Sequence, residues 1–112
     1  MIIVADTSPI NYLILIGEID VLEALYIRVL IPPAVKEELT WARAPEAVRV
    51  WIEQSPDWIE VRAPSGLADS HLAQLDPGER DAILLAEELH ADQIIIDESR
   101  GRQVGRAKRQ TF

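Results

Sequence analysis

Two apolar segments of the sequence each end in an aspartate. Residues 2–5 (IIVA) are followed by Asp6, and residues 93–96 (QIII) are followed by Asp97. Apolar runs that are rich in β-branched residues and lack helical periodicity are typical of strands buried on both faces of a parallel sheet. The carboxyl ends of such strands share one edge of the sheet, which we term the carboxyl edge. Asp6 and Asp97 are therefore predicted to be neighbours at this edge.

Neighbouring carboxylates at one site need a compensating group. Two like charges raise each other's pKa and destabilise the fold unless a cation, a proton or a basic side chain offsets them. The sequence has no cysteine, and its two histidines, His71 and His90, do not have the spacing of a zinc site. A hard divalent cation is the usual partner when only oxygen ligands converge. We therefore interpret Asp6 and Asp97 as metal ligands, although either one alone is explained equally well as a turn or helix-capping residue.

A further pair of acids lies on the helix that is predicted after the second strand. Since Val35, Leu39 and Trp41 mark the apolar side of this helix, Glu38 is adjacent to the buried edge and Glu37 lies further round. Solvated positions are the default for both glutamates. Glu38 is the better candidate for a side chain that faces the carboxyl edge.

The strongest helical pattern, residues 78–89 (GERDAILLAEEL), has two acids near its start. Glu79 and Asp81 lie in the first turn, where the helix macrodipole favours anions. Residues two apart on a helix do not point in the same direction, so at most one of the two is expected to be a direct ligand. Helical phase does not decide between them, because the residues four positions later, Ile83 and Leu85, are both apolar.

The remaining sequence predicts the elements that position these acids. Ser8 and Pro9 predict the N-cap and the first residue of the first helix, and residues 99–109 form a basic segment that is compatible with a helix. Helices are predicted between four strands, around residues 2–6, 28–32, 57–63 and 93–97. This alternation predicts an α/β fold of three layers, α/β/α, with a mainly parallel central sheet.

Length, composition and charge restrict the class of protein. With 112 residues, of which 48% are hydrophobic, the sequence predicts a single domain over residues 1–112. No apolar run approaches the roughly 18 residues that span a bilayer, and the N-terminus lacks the basic region of a signal peptide, which predicts a cytoplasmic protein without membrane contact. The net charge of −8 is unevenly distributed. Residues 1–99 hold all 19 acidic and six basic residues, whereas residues 100–112 hold five basic and no acidic ones.

Four motifs of the sequence carry a resemblance to a known family. They are VADTSPINYL (4–13), VLIPPAVKEEL (29–39), LDPGERDAILLAEEL (75–89) and ADQIIIDESRGR (91–102). In their order and spacing the chain resembles PIN-domain proteins, most of all the prokaryotic branch related to the VapC-type toxins of toxin–antitoxin pairs. The similarity runs from residue 2 to about residue 109. It implies a metal-dependent ribonuclease whose acidic residues bind Mg²⁺ or Mn²⁺.

The resemblance also implies roles for individual residues. Asp6 matches the acid at the end of the first strand, Glu38 the acid in the helix after the second strand, and Asp97 the acid at the end of the fourth strand. The remaining acid lies at the start of the helix over residues 78–89. Relatives of this branch commonly have a Gly-Glu pair there, while the wider family has an aspartate, so Glu79 and Asp81 are both candidates.

The implied reaction is the hydrolysis of RNA. Phosphodiester hydrolysis needs a water that is nucleophilic near neutral pH and a positive charge beside the phosphoryl oxygens, and one or two cations supply both. Single-stranded RNA is the expected substrate, because its backbone can bend into a cleft. Ser8 resembles a hydroxyl residue that the family keeps close to the metal, and Arg100 and Arg102 are expected to contact RNA phosphates. An antitoxin protein is the partner that the resemblance implies.

Two other functions compete with the nuclease. A catalytically inactive relative would keep the fold as an interaction module that is indifferent to metal. A phosphoacceptor or phosphatase-type α/β domain would use Asp6, but it needs a nearby lysine and a D-x-D pattern, and this sequence offers neither.

The end of the sequence differs from the family pattern. Relatives usually continue with a fifth strand and at least one more helix, whereas this sequence stops at RQTF (109–112). We therefore expect a C-terminally truncated domain that lacks the last strand and the C-terminal helix, with Thr111 and Phe112 as the start of that strand. A sheet edge left uncovered beside the fourth strand would pair with another chain, which predicts a homodimer.

Overall fold

The computed structural model of the protein describes residues 2–66, 75–96 and 108–111, in which strands alternate with helices. The strands are Ile3–Ala5 (β1), Val29–Ile31 (β2), Ile59–Val61 (β3), Gln93–Ile96 (β4) and Lys108–Thr111 (β5). The helices are Thr7–Leu15 (α1), Val21–Tyr26 (α2), Pro33–Leu39 (α3), Glu46–Glu53 (α4) and Pro77–Glu88 (α5). Up to β4, this is the order of elements that the sequence predicts, while residues 99–107 of the predicted helix-compatible segment lie outside the described residues.

The five strands of the described chain form one parallel sheet with the order β3-β2-β1-β4-β5. β1 and β4 are neighbours near the centre of the sheet, where Ala5 pairs with Ile95. The chain proceeds outward from β1 through β2 to β3, and then continues on the other side of β1 with β4 and β5. The strand order therefore reverses between β1 and β4, which is where ligands bind in open α/β sheets.

Side chains alternate between the two faces of the sheet, and helices cover both faces. Ile3 and Ala5 of β1 belong to a hydrophobic cluster with residues of α1, α2, α3 and α4. Val4, which lies between them, belongs to a second cluster with Ile94, Ile96 and residues of α5. The prediction of a three-layer α/β/α fold with a parallel central sheet is confirmed.

The C-terminal strand corrects two expectations from the sequence. Lys108–Thr111 pair in parallel with β4, in the register that sets Ile94 opposite Arg109. The last strand is therefore not lacking, and the last two residues of the helix-compatible segment 99–109 are in a strand. Buried β4 has backbone groups on this side that need hydrogen-bond partners, and a polar edge strand provides them without an apolar pattern of its own. The uncovered edge that led to the prediction of a homodimer is thus occupied.

The start of α1 also differs from the prediction. The N-cap of α1 is Asp6 and not Ser8, and the helix begins at Thr7. Asp6 has extended backbone angles (φ −92°, ψ 174°), and its side chain accepts a hydrogen bond from the Thr7 N–H. Pro9 is accommodated in the first turn because the N–H groups of that turn have no intrahelical partner. Ser8 is exposed on this turn.

Two further observations concern the surface. Trp41 was predicted on the apolar side of α3 with Val35 and Leu39, which are buried. Instead it is 52% exposed, because the helix ends at Leu39 and the chain turns away at Thr40. None of the helices in the described ranges is both long enough and apolar enough to cross a membrane.

Candidate metal centre

Asp6 lies at the carboxyl edge of the sheet, between the last residue of β1 and the first residue of α1. Its backbone N–H donates to the carbonyl oxygen of Ile95 on β4 at 2.9 Å, so both central strands fix its position. The residue is 4% exposed, and its Oδ1 accepts a hydrogen bond from the Thr7 N–H at 2.7 Å. Asp6 is therefore a buried carboxylate with a defined orientation.

Glu38 reaches the same edge from α3, where it is half-buried while Glu37 is exposed. Its carboxylate contacts two other helices. Oε1 accepts a hydrogen bond from the Thr7 hydroxyl at 2.5 Å, and Oε2 accepts one from the Gly78 N–H at 2.9 Å. One side chain thus connects α1, α3 and α5. The hydroxyl that contacts this glutamate belongs to Thr7, while Ser8, whose hydroxyl the resemblance places close to the metal, is exposed.

Asp76 completes a group of three carboxylates. It is the N-cap of α5, and its Oδ1 accepts a hydrogen bond from the Glu79 N–H at 3.0 Å. One carboxylate oxygen from each of Asp6, Glu38 and Asp76 lies within 4.8 Å of the others. We term these three residues the acidic cluster. They come from three distant segments of the sequence, so only the folded chain brings them together.

Asp76 is a member of the site that the sequence analysis missed. The sequence does indicate that Asp76 caps a helix, because it precedes a proline and is followed three residues later by Glu79, which is the pattern of a helix N-terminus. This pattern does not reveal what lies beside the start of the helix. That depends on the packing of α5 against α3, which brings the cap of one helix to Glu38 on the other.

The two predicted acids near the start of α5, Glu79 and Asp81, lie in different environments. Glu79 is fully buried at the start of α5, and its charge acts on Asp6, but it is not one of the three cluster residues. Asp81 is partly exposed, and its Oδ1 accepts a hydrogen bond from the Nε of Arg80 at 3.0 Å. Three predicted site residues lie outside the described ranges: Asp97, Arg100 and Arg102.

The comparison with protein families identifies the chain. The family DUF3368, described as a PIN domain, matches residues 2–111. The chain belongs to this PIN-domain family. PIN domains are usually nucleases and generally use divalent metals, and the acidic cluster of this PIN domain offers carboxylates that could hold such an ion. No curated protein and no solved structure matches the chain.

Asp6 of this PIN domain has a strongly shifted pKa. The pKa of Asp6 is raised from its ordinary value of 3.8 to about 7, chiefly because burial removes water from the carboxylate. The hydrogen bond from Thr7 lowers the pKa in part, and the negative charges of Asp76, Glu79 and Glu38 raise it. Near neutral pH the carboxylate of Asp6 therefore favours a bound proton or a nearby cation.

The N-terminus of α5 stabilises the other two acids of the cluster. Its first residue, Pro77, has no N–H, and the next two N–H groups, of Gly78 and Glu79, donate to Glu38 and Asp76. Helix N-termini carry a partial positive charge, so these bonds offset part of the repulsion between the carboxylates. The backbone of α5 thus holds two of the three acids in place.

The residues of this PIN domain fit a hard divalent cation. The three donor atoms are carboxylate oxygens, the ligand type that Mg²⁺ and Mn²⁺ prefer. Because one oxygen from each of the three residues lies within 4.8 Å of the others, Asp6, Glu38 and Asp76 could hold one such ion together.

Proposed function

We propose that this PIN domain is a metal-dependent endoribonuclease. The observation that carries the proposal is the convergence of one oxygen from each of Asp6, Glu38 and Asp76 within 4.8 Å, beside the point where the strand order reverses. Three carboxylates at this separation destabilise one another, and the burial of Asp6 adds to that cost. A bound cation would offset this cost, which supports a metal site at the carboxyl edge of the sheet.

The proposed ligands are the acidic cluster together with Asp97, which directly follows β4 in the sequence. Mg²⁺ or Mn²⁺ is the proposed ion, because every donor in the set is a carboxylate oxygen. Of the two acids at the start of α5, we favour Glu79 over Asp81 as a further member. Glu79 is buried and raises the pKa of Asp6, whereas Asp81 is paired with its neighbour on α5.

The proposed reaction is the hydrolysis of a phosphodiester bond. When bound, the cation supplies Lewis acidity, which makes a water nucleophilic near neutral pH and offsets the negative charge of the phosphoryl oxygens. The residues of the chain hold and orient the carboxylate ligands. Asp6 presents a carboxylate at the centre of the sheet, and Thr7 and Gly78 orient Glu38. Because the pKa of Asp6 is about 7, protons compete with the cation for this ligand up to neutral pH.

Single-stranded RNA is the proposed substrate. Residues 1–99 are acidic and repel a phosphate backbone, whereas residues 100–112 carry five basic side chains and no acidic ones. Among these, Arg100 and Arg102 follow β4 most closely in the sequence, and we propose that they contact RNA phosphates. We also propose that Ser8, which is exposed two residues after Asp6, contacts the substrate.

We further propose that the enzyme is the toxin of a toxin–antitoxin pair, acts in the cytoplasm and binds an antitoxin protein. The basis is the similarity of the four motifs to the toxin-related branch of the family. The match of one family over residues 2–111 supports a single domain. An interaction module without catalysis is the competing function, and a measurement of activity separates the two.

Cleavage of a labelled single-stranded RNA in the presence of Mn²⁺ tests the proposed function. We expect the wild type to cleave, and we expect EDTA, Asp6→Asn and Asp76→Asn each to abolish cleavage. Asp20→Asn is the matched control, because Asp20 is an exposed aspartate that precedes α2 without a side-chain cap bond in the described chain. Cleavage that survives both EDTA and Asp6→Asn would contradict the mechanism, and a wild type that cleaves no RNA would favour the interaction module.

A further inference from the structure

We infer that Gly78 and Thr7 are positioning residues, which together hold the carboxylate of Glu38 in the orientation that the metal requires. This inference rests on the proposed function, since it concerns the same cation. It adds two residues that are not ligands themselves but determine how well one ligand is placed.

The two hydrogen bonds leave Glu38 little freedom. A glutamate on a helix has three rotatable side-chain bonds, and its charge is repelled by Asp6 and Asp76, so an unrestrained Glu38 would turn toward solvent. Here both of its oxygens accept a hydrogen bond, from the Thr7 hydroxyl at 2.5 Å and from the Gly78 N–H at 2.9 Å. These donors lie on α1 and α5, so the bonds fix the side chain from two sides. Glu38 is thereby kept within 4.8 Å of the other cluster oxygens.

The absence of a side chain at residue 78 is as important as its N–H. A Cβ atom at Gly78 would lie 2.4 Å from Oε1 and 2.8 Å from Cδ of Glu38, which is closer than non-bonded atoms can approach. Gly78 does not have the left-handed backbone that favours glycine at Gly17, where φ is +75°. Glycine is a poor helix former. A glycine in the first turn of α5 thus leaves room for the Glu38 carboxylate, which any larger residue would displace.

Metal affinity should depend on this arrangement. Groups that orient a metal ligand usually change the affinity roughly 10–100-fold when they are removed. Gly78→Ala displaces the Glu38 carboxylate by steric contact, and Thr7→Val removes one donor while the size of the side chain is kept. Both variants should therefore weaken Mn²⁺ binding by a factor of roughly 10–100. Thr7→Ser keeps the hydroxyl and should restore most of the affinity lost in Thr7→Val.

Isothermal titration of the full chain with MnCl₂ measures this affinity independently of RNA cleavage. Gly66→Ala is the matched control for Gly78→Ala, because a Cβ at Gly66 meets no described atom within 4 Å. The thermal unfolding midpoint of each variant, measured in EDTA, reports whether it is folded. Asp6→Asn, which removes a proposed ligand, provides the reference for a lost metal site.

A double-mutant cycle shows whether the effect of Gly78→Ala acts through Glu38. In the wild-type background the new methyl group of Gly78→Ala collides with the Glu38 carboxylate and displaces it from its two hydrogen bonds, so the unfolding midpoint should change less favourably than in a Glu38→Ala background. In a Glu38→Ala background that collision is absent, and alanine should raise the midpoint, since it is the better helix former. A change of equal size in both backgrounds would overturn the inference, because the effect would then belong to α5 alone.

The titrations separate the two proposals. If Asp6→Asn loses Mn²⁺ binding while Gly78→Ala and Thr7→Val bind as tightly as the wild type, the positioning role is wrong and the proposed function stands. If the wild type itself binds no Mn²⁺, both proposals are wrong. If both positioning variants bind more weakly, and Thr7→Ser and Gly66→Ala bind like the wild type, the positioning role is supported.

Discussion

Asp6 has a structural role and a place in the acidic cluster at the same time. Its Oδ1 accepts the Thr7 N–H as the N-cap of α1, and its carboxylate also lies within 4.8 Å of Glu38 and Asp76. Asp76 repeats this combination as the N-cap of α5. Helix caps prefer short side chains with an acceptor oxygen, and hard cations bind carboxylate oxygens, so an aspartate suits both roles. A capping explanation for an aspartate therefore does not exclude a ligand role.

The first prediction concerns the charge of Asp6 and the stability of the metal-free protein. The pKa of Asp6 is about 7 in the folded protein, and its ordinary value is 3.8. Between these two pH values the folded protein therefore holds a proton that the unfolded chain has released. Stability should therefore fall as the pH rises from about 4 to about 7, by up to about 4 kcal/mol. Asp6→Asn keeps a cap acceptor and removes the ionisation, so it should be more stable than the wild type at pH 8, with little difference at pH 4.

Urea unfolding in EDTA at pH 4 and pH 8 measures this effect. The control is Asp20→Asn, which changes an exposed aspartate and should leave the pH dependence as in the wild type. An Asp6→Asn variant whose stability relative to the wild type is the same at both pH values would show that Asp6 titrates normally.

At the scale of elements, the sequence predicts most of what positions the site. The runs at residues 2–5 and 93–96 predict two central strands, and β1 and β4 are indeed adjacent. The N-cap of α1 could not be predicted with the same success, because Asp6 and Ser8 are both good cap residues and only packing decides between them. β5 has no apolar pattern, so its strand conformation depends on its pairing with β4 rather than on its own residues.

Some residues of the candidate site can be predicted from the local sequence, whereas others depend on tertiary packing. Glu38 was predicted from its phase relative to the buried residues of α3, which is a local property. Asp76 was missed because its proximity to Asp6 and Glu38 depends on how α5 packs against α3. The choice between Glu79 and Asp81 was open in the sequence, and the structure buries Glu79 while Asp81 pairs with Arg80.

The second prediction separates the two roles of Asp76 at the N-terminus of α5. Asp76→Ser keeps an oxygen that can accept the Glu79 N–H but removes the charge, whereas Asp76→Ala removes both. Asp76→Ala should therefore lower the free energy of unfolding by about 1 kcal/mol relative to Asp76→Ser. Both variants should lose Mn²⁺ binding to a similar degree, because serine does not replace a carboxylate ligand.

Urea unfolding in EDTA and titration with MnCl₂ measure the two effects separately. The result that would contradict a ligand role is an Asp76→Ser variant that binds Mn²⁺ as tightly as the wild type. Equal stability of the serine and alanine variants would contradict the capping role instead.

At the scale of the whole molecule, charge is distributed along the chain in a way that bears on RNA binding. The body over residues 1–99 has 19 acidic and six basic residues, and two of its arginines, Arg28 and Arg62, pair with Glu60 at 2.9 Å on the side of the sheet away from β5. The five basic residues of 100–112 follow β4 in the sequence. An acidic site can bind a polyanion only if positive charge is supplied beside it, by a cation, by such a basic segment or by both.

The third prediction follows from this distribution. Arg100→Ala and Arg102→Ala should each weaken the binding of single-stranded RNA, and each should reduce the slope of log K against log salt concentration by about 0.7, the contribution of one phosphate contact. Arg62→Ala is the matched control, because this arginine is paired with Glu60 at 2.9 Å, and its loss should leave the slope unchanged. Fluorescence anisotropy with a labelled RNA in EDTA, at several KCl concentrations, gives the slopes without cleavage. If Arg62→Ala reduces the slope as much as the other two variants do, the RNA responds to the net charge of the protein and not to contacts with the basic segment.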